Sequence, residues 1–286
     1  MAKLVGTFFH SHGGTTSMPG ELWRERRVTR PIREDVPIED DAANIRKAIS
    51  AMKKKKIRFA GLVADSIFSS DGIYPGEPGF MAEAIASVRK AGGVFIADEV
   101  QPGFARTGET MWGFERHGLV PDMVAMGKPM GNGYPIGGVA VEPDLLQTFG
   151  ATAGYFNTFG GNPVAAAAGL AVLETLEAEN LQQNALEIGA YLLAELEVVA
   201  QRFKRVGDVR GKGLYIGVEL VRDRKSKKPD RATATRVVEI LRDRNILVGV
   251  AGPYGNILKI RPPLCFERDH ADLLVKTLYD SLATLS

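Results

Sequence analysis

Val94-Phe95-Ile96-Ala97-Asp98-Glu99-Val100-Gln101 and, further on, Met123-Val124-Ala125-Met126-Gly127-Lys128 decide how this chain reads. Between them lies Gly103-Phe104-Ala105-Arg106-Thr107-Gly108. Each short apolar run ends on a residue that hydrophobic patterning would not place there: a carboxylate pair in the first case, a lone lysine in the second. Apolar runs of this length bounded by Gly and Pro read as buried strands of a parallel sheet. Ligand chemistry in open α/β sheets gathers at the carboxyl ends of such strands. An acid and a lysine at two strand ends, 30 residues apart in sequence, are placed to face one ligand.

That pairing suits pyridoxal phosphate (PLP). A lysine amine forms a Schiff base with the aldehyde, and a carboxylate keeps the pyridine nitrogen protonated so that the ring withdraws electrons. A plainer reading stands beside it, because lysines just past strands are ordinarily solvated and Asp-Glu pairs at strand ends are ordinarily turn or cap residues. Spacing alone leaves both open.

Working outward, Asp98-Glu99-Val100-Gln101, Arg106-Thr107-Gly108, Gly127-Lys128 and Asn157-Thr158-Phe159-Gly160-Gly161-Asn162-Pro163 follow one another in a fixed order. From about Phe59 onward the chain thereby resembles the class III aminotransferases, PLP enzymes of fold type I. Phe68-Ser69-Ser70-Asp71-Gly72 and Gly127-Lys128-Pro129-Met130-Gly131-Asn132-Gly133 resemble the branch of alanine–glyoxylate aminotransferase 2-like proteins and ethanolamine-phosphate phospho-lyases. Asp65-Ser66-Ile67 stands where most of the class has a Glu-Pro segment, a departure that fits this branch.

The resemblance implies a PLP-binding α/β fold, mainly a parallel sheet flanked by helices, with a smaller α+β domain after it. The boundary is expected near residue 175, giving domains 1–175 and 176–286. Lys128 is implied as the Schiff-base lysine and then the general base, and Asp98 as the partner of the pyridinium nitrogen. Val100 would pack on the ring face, Gln101 would hydrogen-bond the phenolic oxygen, and Thr158 would reach the cofactor phosphate of a neighbouring subunit, which requires a homodimer. Arg261, in Leu258-Lys259-Ile260-Arg261-Pro262-Pro263-Leu264, matches the arginine that grips the substrate carboxylate through its planar fork. Glu99 is expected only to support the Gln101 loop, and Trp112 and Tyr134 to pack.

Composition narrows the remaining classes. At 286 residues, 45% hydrophobic and 24% charged, the chain has the make-up of an ordinary globular protein large enough for two domains. A formal charge of +2 provides no field for nucleic acid or an anionic membrane. Lys53-Lys54-Lys55-Lys56 reads as a solvated helix end, where cations oppose the negative dipole terminus. One cysteine, Cys265, allows no intrachain disulfide. With no recognisable signal segment, a cytoplasmic location is expected. No metal site is expected: His10-Ser11-His12 lacks companion ligands and reads as surface histidines.

Along the chain, residues 1–40 read as loop, and a helix over 41–53 leads into a buried strand over 57–65. Met81, Ala84, Ile85 and Val88 at helical spacing, closed by Gly92-Gly93, complete a βαβ unit with the Asp98 strand. A strand is expected over 136–141. Asn162-Pro163 reads as an N-cap with Pro at the first helical position. Beyond it come a second amphipathic helix, a turn at 208–213, strands over 214–220, 246–250 and 256–261, and two further helices.

The class carries a substantial N-terminal portion before the point where this sequence begins, including a Gly/Ser-rich turn whose amides cradle the cofactor phosphate. Only Gly13-Gly14-Thr15-Thr16 offers a partial substitute here. Three functions follow: amino-group transfer between an amino acid or amine and an oxo acid, phosphate elimination from a phosphorylated amino alcohol, or a non-catalytic dimeric scaffold.

Overall fold

The computed structural model describes residues 7–10, 41–152 and 155–285. They fall into two compact units. The first takes the described residues up to 66, with 76–104 and 112–175; the second takes 67–75, 105–111 and those from 176 onward.

The first unit contains, in chain order, β1 (Thr7–His10), α1 (Asp41–Lys54), β2 (Phe59–Ala64), α2 (Ala82–Lys90), β3 (Val94–Asp98), β4 (Met123–Met126), β5 (Gly138–Val141), α3 (Pro143–Thr152) and α4 (Pro163–Ala178). Its five strands lie in sequence order. Strands β1 to β4 run parallel, and β5 closes the edge antiparallel to β4. The expected βαβ unit is β2–α2–β3. Ala84, Ile85 and Val88 line the buried face of α2, and Ile85 and Val88 pack on Leu62, Ala64, Phe95 and Ala97 of the two strands. Each large side chain buried this way contributes about 1.5–3 kcal/mol, so the 3.6-residue repeat of α2 and the apolar runs of β2 and β3 specify one another.

Helix α4 starts as its sequence indicates, with Asn162 Oδ1 accepting from Ala165 N at 3.0 Å and Pro163 at the first helical position. The lysines at the end of α1 are all exposed. Among the described residues, no helix is long and apolar enough to cross a membrane.

The second unit contains α5 (Leu181–Arg202), β6 (Val206–Lys212), β7 (Tyr215–Leu220), α6 (Arg231–Asp243), β8 (Gly249–Ala251), β9 (Ile257–Ile260) and α7 (Arg268–Thr284). The strands form an antiparallel sheet in the order β6-β7-β9-β8. Leu192, Leu196 and Val199 of α5, Val237 and Leu241 of α6, and Leu274, Leu278 and Leu282 of α7 share one core with Ile216, Val218, Leu220, Leu258 and Ile260.

Two local expectations are corrected. Residues 208–212 are not turn but strand β6, paired with β7 in register Arg210↔Gly217 and Lys212↔Tyr215. Their polar side chains are accommodated because Arg210 is fully engaged. Its Nη1 meets Asp208 at 2.7 Å and Glu219 at 2.5 Å, its Nη2 donates to Gly72 O at 2.7 Å, and its Nε donates to Ile73 O at 2.9 Å. The reversal is confined to Gly213 at φ +52°, where an added Cβ would lie 2.5 Å from the Arg106 carbonyl oxygen. The second correction concerns residues 7–10, which form strand β1 beside β2 rather than loop. His12, Gly13-Gly14-Thr15-Thr16 and the charged stretch from Glu21 to Glu39 lie outside the described residues.

Candidate active site

Strand pairing determines where the two candidate groups emerge. In the β3–β4 ladder Asp98 is opposite Ala125, and Glu99 N donates to Ala125 O at 2.9 Å. Asp98 therefore ends β3 at the level where β4 has one residue, Met126, to run before Gly127. Lys128 then opens a short 3-10 turn over Lys128–Gly131. The acid and the amine leave the carboxyl ends of adjacent parallel strands.

Val100 comes close to the second of these exits. An added Cβ on Gly127 would come 3.4 Å from Val100 Cγ2 and 3.7 Å from Cγ1, so the valine methyls lie against the backbone just before the lysine. The Asp98 carboxylate folds back to accept from Val100 N at 3.1 Å, which fixes the segment after the strand. Gln101 follows, 8% exposed. Lys128 is exposed and makes no hydrogen bond or ion pair among the described residues. The first unit thus brings Asp98, Val100 and Lys128 to neighbouring strand ends. An amine beside an apolar surface and a carboxylate is the donor set that an aldehyde-bearing pyridine ring requires, and the residues fit PLP at its ring end.

Thr158 sits elsewhere in the same unit, exposed in a turn that Asn157 and Asn162 hold. Asn157 Oδ1 accepts from Phe159 N and Gly160 N at 3.2 and 3.0 Å, and Asn162 Nδ2 donates to Phe159 O at 2.8 Å. The Thr158 side chain has no hydrogen-bond partner among the described residues.

Glu99 is the residue whose role the sequence understates. It is fully buried, and its carboxylate caps the 3-10 helix Gly113–His117: Oε2 accepts from Gly113 N at 2.8 Å and Oε1 from Phe114 N at 3.0 Å. Burial pushes this carboxyl from 4.5 up to about 8; the two amides oppose the shift, and the charges of Asp65 and Asp98 add to it. Gly113 leaves no space at this contact, since a Cβ there would fall 2.1 Å from Ser66 Oγ. The same helix ends on buried His117, whose Nδ1 accepts from Gly79 N at 3.2 Å and whose Nε2 lies 3.1 Å from Ser66 O. That arrangement calls for the neutral ring with its proton on Nε2. The only sequence signal for this packing is an acid directly after a buried strand, the pattern of a cap.

In the second unit Arg261 follows β9 and is exposed. Its neighbour Pro262 is held by Arg106, whose Nη1 donates to Pro262 O at 2.5 Å and to Leu214 O at 3.4 Å. Burial, followed by the charge of Arg261, lowers the Arg106 guanidinium from its ordinary range to about 10.

A mainly parallel sheet flanked by helices, followed by an antiparallel α+β unit, is the architecture of fold type I, the fold of the PLP-dependent transferases. The chain belongs to the class III aminotransferases: the family model "Aminotransferase class-III" matches residues 15–282. Members of that family use PLP.

Among individual relatives, the chain is 46% identical over 226 residues to alanine–glyoxylate aminotransferase 2 homolog 2, mitochondrial, of Arabidopsis thaliana; the match covers 79% of this chain and 47% of that protein. It is 41% identical over 224 residues to human alanine–glyoxylate aminotransferase 2, mitochondrial, covering 78% of this chain and 44% of the relative. The chain therefore spans about half the length of the curated relatives it matches. Among solved structures, a phospholyase from Arthrobacter in complex with phosphoethanolamine is 38% identical with a TM-score of 0.88, covering 98% of this chain and 71% of that one. A Bacillus anthracis aminotransferase is 30% identical with a TM-score of 0.78, covering 85% and 56%. The relatives named as mitochondrial overturn the cytoplasmic location expected from the lone cysteine and the opening residues.

Proposed function

We propose that this chain carries the lysine-bearing part of a PLP-dependent aminotransferase that moves an amino group between an amino acid or amine and an oxo acid. The observation that carries this reading is the emergence of Asp98 and Lys128 from adjacent parallel strands, with Val100 against the Gly127 backbone. When bound, PLP supplies an electron-withdrawing ring that makes the substrate Cα–H acidic. Asp98 would keep a proton on the ring nitrogen, since an opposite charge at contact favours the protonated heterocycle. Val100 would limit the ring's position from one face, and Gln101 would donate to the phenolic oxygen. The Lys128 amine would hold the cofactor covalently at rest. Once released by the substrate amine, it would take the proton from Cα, a general-base role that typically contributes about 10²–10⁴-fold. Arg261 would bind the substrate carboxylate through its guanidinium fork.

We also propose that the chain divides into domains 1–175 and 176–286 and that two copies of it form a homodimer in which Thr158 serves the neighbouring subunit's cofactor phosphate. Support comes from the apolar surface around that turn, where Tyr155, Phe156 and Phe159 are 75%, 87% and 80% exposed and Val164 and Leu170 of α4 are 62% and 56% exposed. Large exposed apolar patches mark interaction sites. Sedimentation equilibrium at micromolar concentration should give twice the chain mass; a monomer throughout would remove the dimer.

A second reading, elimination of phosphate from a phosphorylated amino alcohol, is favoured by the likeness to the phosphoethanolamine-bound phospholyase. Both reactions begin with proton removal from the carbon bearing the amine, and they part on whether a leaving group departs from Cβ. Incubating the PLP-loaded protein separately with L-alanine and with phosphoethanolamine separates them. Amino transfer predicts conversion of the cofactor to its aminated form with alanine and no phosphate from phosphoethanolamine. Stoichiometric or greater phosphate release, with an aldehyde product, would establish the second reading instead.

A further inference from the structure

The second unit holds a partly buried cation that the reaction outlined above does not use. Arg106 is half-buried and follows Phe104 and Ala105, two consecutive non-glycine residues at φ +58° and +62°. Left-handed backbone at such residues costs about 1–3 kcal/mol each and persists only where surrounding contacts impose it. The imposed turn delivers Arg106 to the end of β9. Its carbonyl oxygen accepts from Leu214 N at 3.1 Å, while its Nη1 donates to Leu214 O and Pro262 O. Ile216 pairs with Ile260 across β7 and β9, so Leu214 and Pro262 flank the same end of that ladder, where Arg261 emerges. All the hydrogen-bond acceptors of the Arg106 side chain among the described residues are carbonyls, and no carboxylate pairs with it.

We propose that Arg106 is the positioning residue for Arg261: it clamps the Pro262 carbonyl, sets the direction in which the Arg261 fork leaves β9, and adds a second positive charge to the anion subsite there. The inference rests on the reading of Arg261 as the substrate-carboxylate arginine. Two features of the geometry support it. The clamp acts on the carbonyl of Pro262, the residue directly after Arg261, so a small shift of Pro262 re-aims the guanidinium. Among the described residues no carboxylate balances the charge of Arg106, and neighbouring like charges repel, which an anion bound at Arg261 relieves. Charge and clamp are separable, because lysine retains the cation on a shorter, flexible stem and loses the rigid guanidinium whose Nη1 reaches both carbonyls.

The test uses propionate, an unreactive carboxylate, titrated at constant ionic strength against the full chain with its dissociation constant read from thermal-shift protection. The variants are Arg106→Lys, Arg106→Met and Arg261→Gln, each with its unliganded melting temperature recorded. The expected result is saturable protection of the parent, lost in Arg261→Gln. Propionate should bind about tenfold more weakly to Arg106→Met, the scale of a lost charge-assisted contact, with partial recovery in Arg106→Lys. A purely structural Arg106 would lower the unliganded melting temperature and leave the dissociation constant of the folded protein unchanged. Should Arg106→Met fail to fold, Arg106→Lys decides alone, a dissociation constant at least threefold above the parent supporting the proposal and one within twofold overturning it. Protection that survives Arg261→Gln overturns the substrate-arginine reading. Protection lost in Arg261→Gln but within twofold of the parent in both Arg106 variants overturns the role of Arg106 and leaves that reading standing. Absence of saturable protection in the parent overturns both.

Discussion

Replacing Lys128 by alanine should reduce amino-group transfer by the PLP-loaded protein by at least about 10²–10⁴-fold, the contribution of one positioned general base. The loss should be larger still where covalent anchoring also matters. Lys128→Arg should not rescue it, because a guanidinium is neither a nucleophile nor a base near neutral pH. The argument rests on the strand ends. Lys128 opens a turn directly after β4, Asp98 closes β3 beside it, and Lys128 makes no ion pair among the described residues. A lysine in that position is not needed to neutralise a carboxylate of the fold, so its removal should leave the melting temperature of the unloaded chain nearly unchanged. Turnover and stability should therefore separate in this variant. A parallel loss of both would assign Lys128 a structural role.

The second large effect should appear at Glu99, as stability rather than turnover. Glu99→Ala deprives the Gly113 and Phe114 amides of their acceptor inside the first unit. Each buried donor left unpaired costs about 1–3 kcal/mol, so a loss of roughly 2–4 kcal/mol is expected by urea titration. The pH dependence has a definite sign. Burial raises the folded-state pKa of Glu99 from 4.5 to about 8, so between those values the unfolded chain has released its proton while the folded chain retains it. The contribution of this group is fully present below about pH 4.5 and is lost as pH rises through about 8. Glu99→Gln cannot titrate and keeps only one acceptor for two donors. It should be less stable than the parent at pH 5, and the difference should narrow by pH 8. A difference that instead widens toward pH 8 would mean the carboxylate is ionised in the folded state across that range.

The parts of the fold legible in sequence were those where a local period and a local boundary agree. Helix α2 has Ala84, Ile85 and Val88 on one stripe, and β3 and β4 are apolar runs cut off by Asp98 and Gly127. Asn162 before Pro163 marks the start of α4 for the same reason. Strand β6 was hidden because Asp208, Arg210 and Lys212 alternate with glycine and valine in a pattern that also suits a turn. What makes it a strand is the engagement of Arg210 with Gly72 and Ile73, far away in sequence, and with Glu219 across the hairpin. Strand β1 was masked by its polar surroundings, and α3 has no counterpart among the sequence expectations.

The site divides along the same line. Asp98 and Lys128 stand out because each violates the apolar pattern of its own strand. The contact of Val100 with Gly127 and the capping by Glu99 depend on tertiary register, which no window of sequence contains. Glu99 shows this most clearly: its partner amides lie 14 and 15 residues on, and only the path of the chain through residues 100–113 returns them to it. The role proposed for Thr158 comes from the family resemblance of the sequence and involves a second copy of the chain, which a single protomer does not contain.

The most direct test of the central claim is the site of covalent attachment. The purified protein is incubated with PLP, reduced with borohydride, digested and mapped by mass spectrometry beside Lys128→Ala treated identically. The account predicts a pyridoxyl label on Lys128, accompanied by a visible absorbance band before reduction, with both absent from the variant. A stoichiometric label on any other lysine, or an unchanged band in Lys128→Ala, would contradict it.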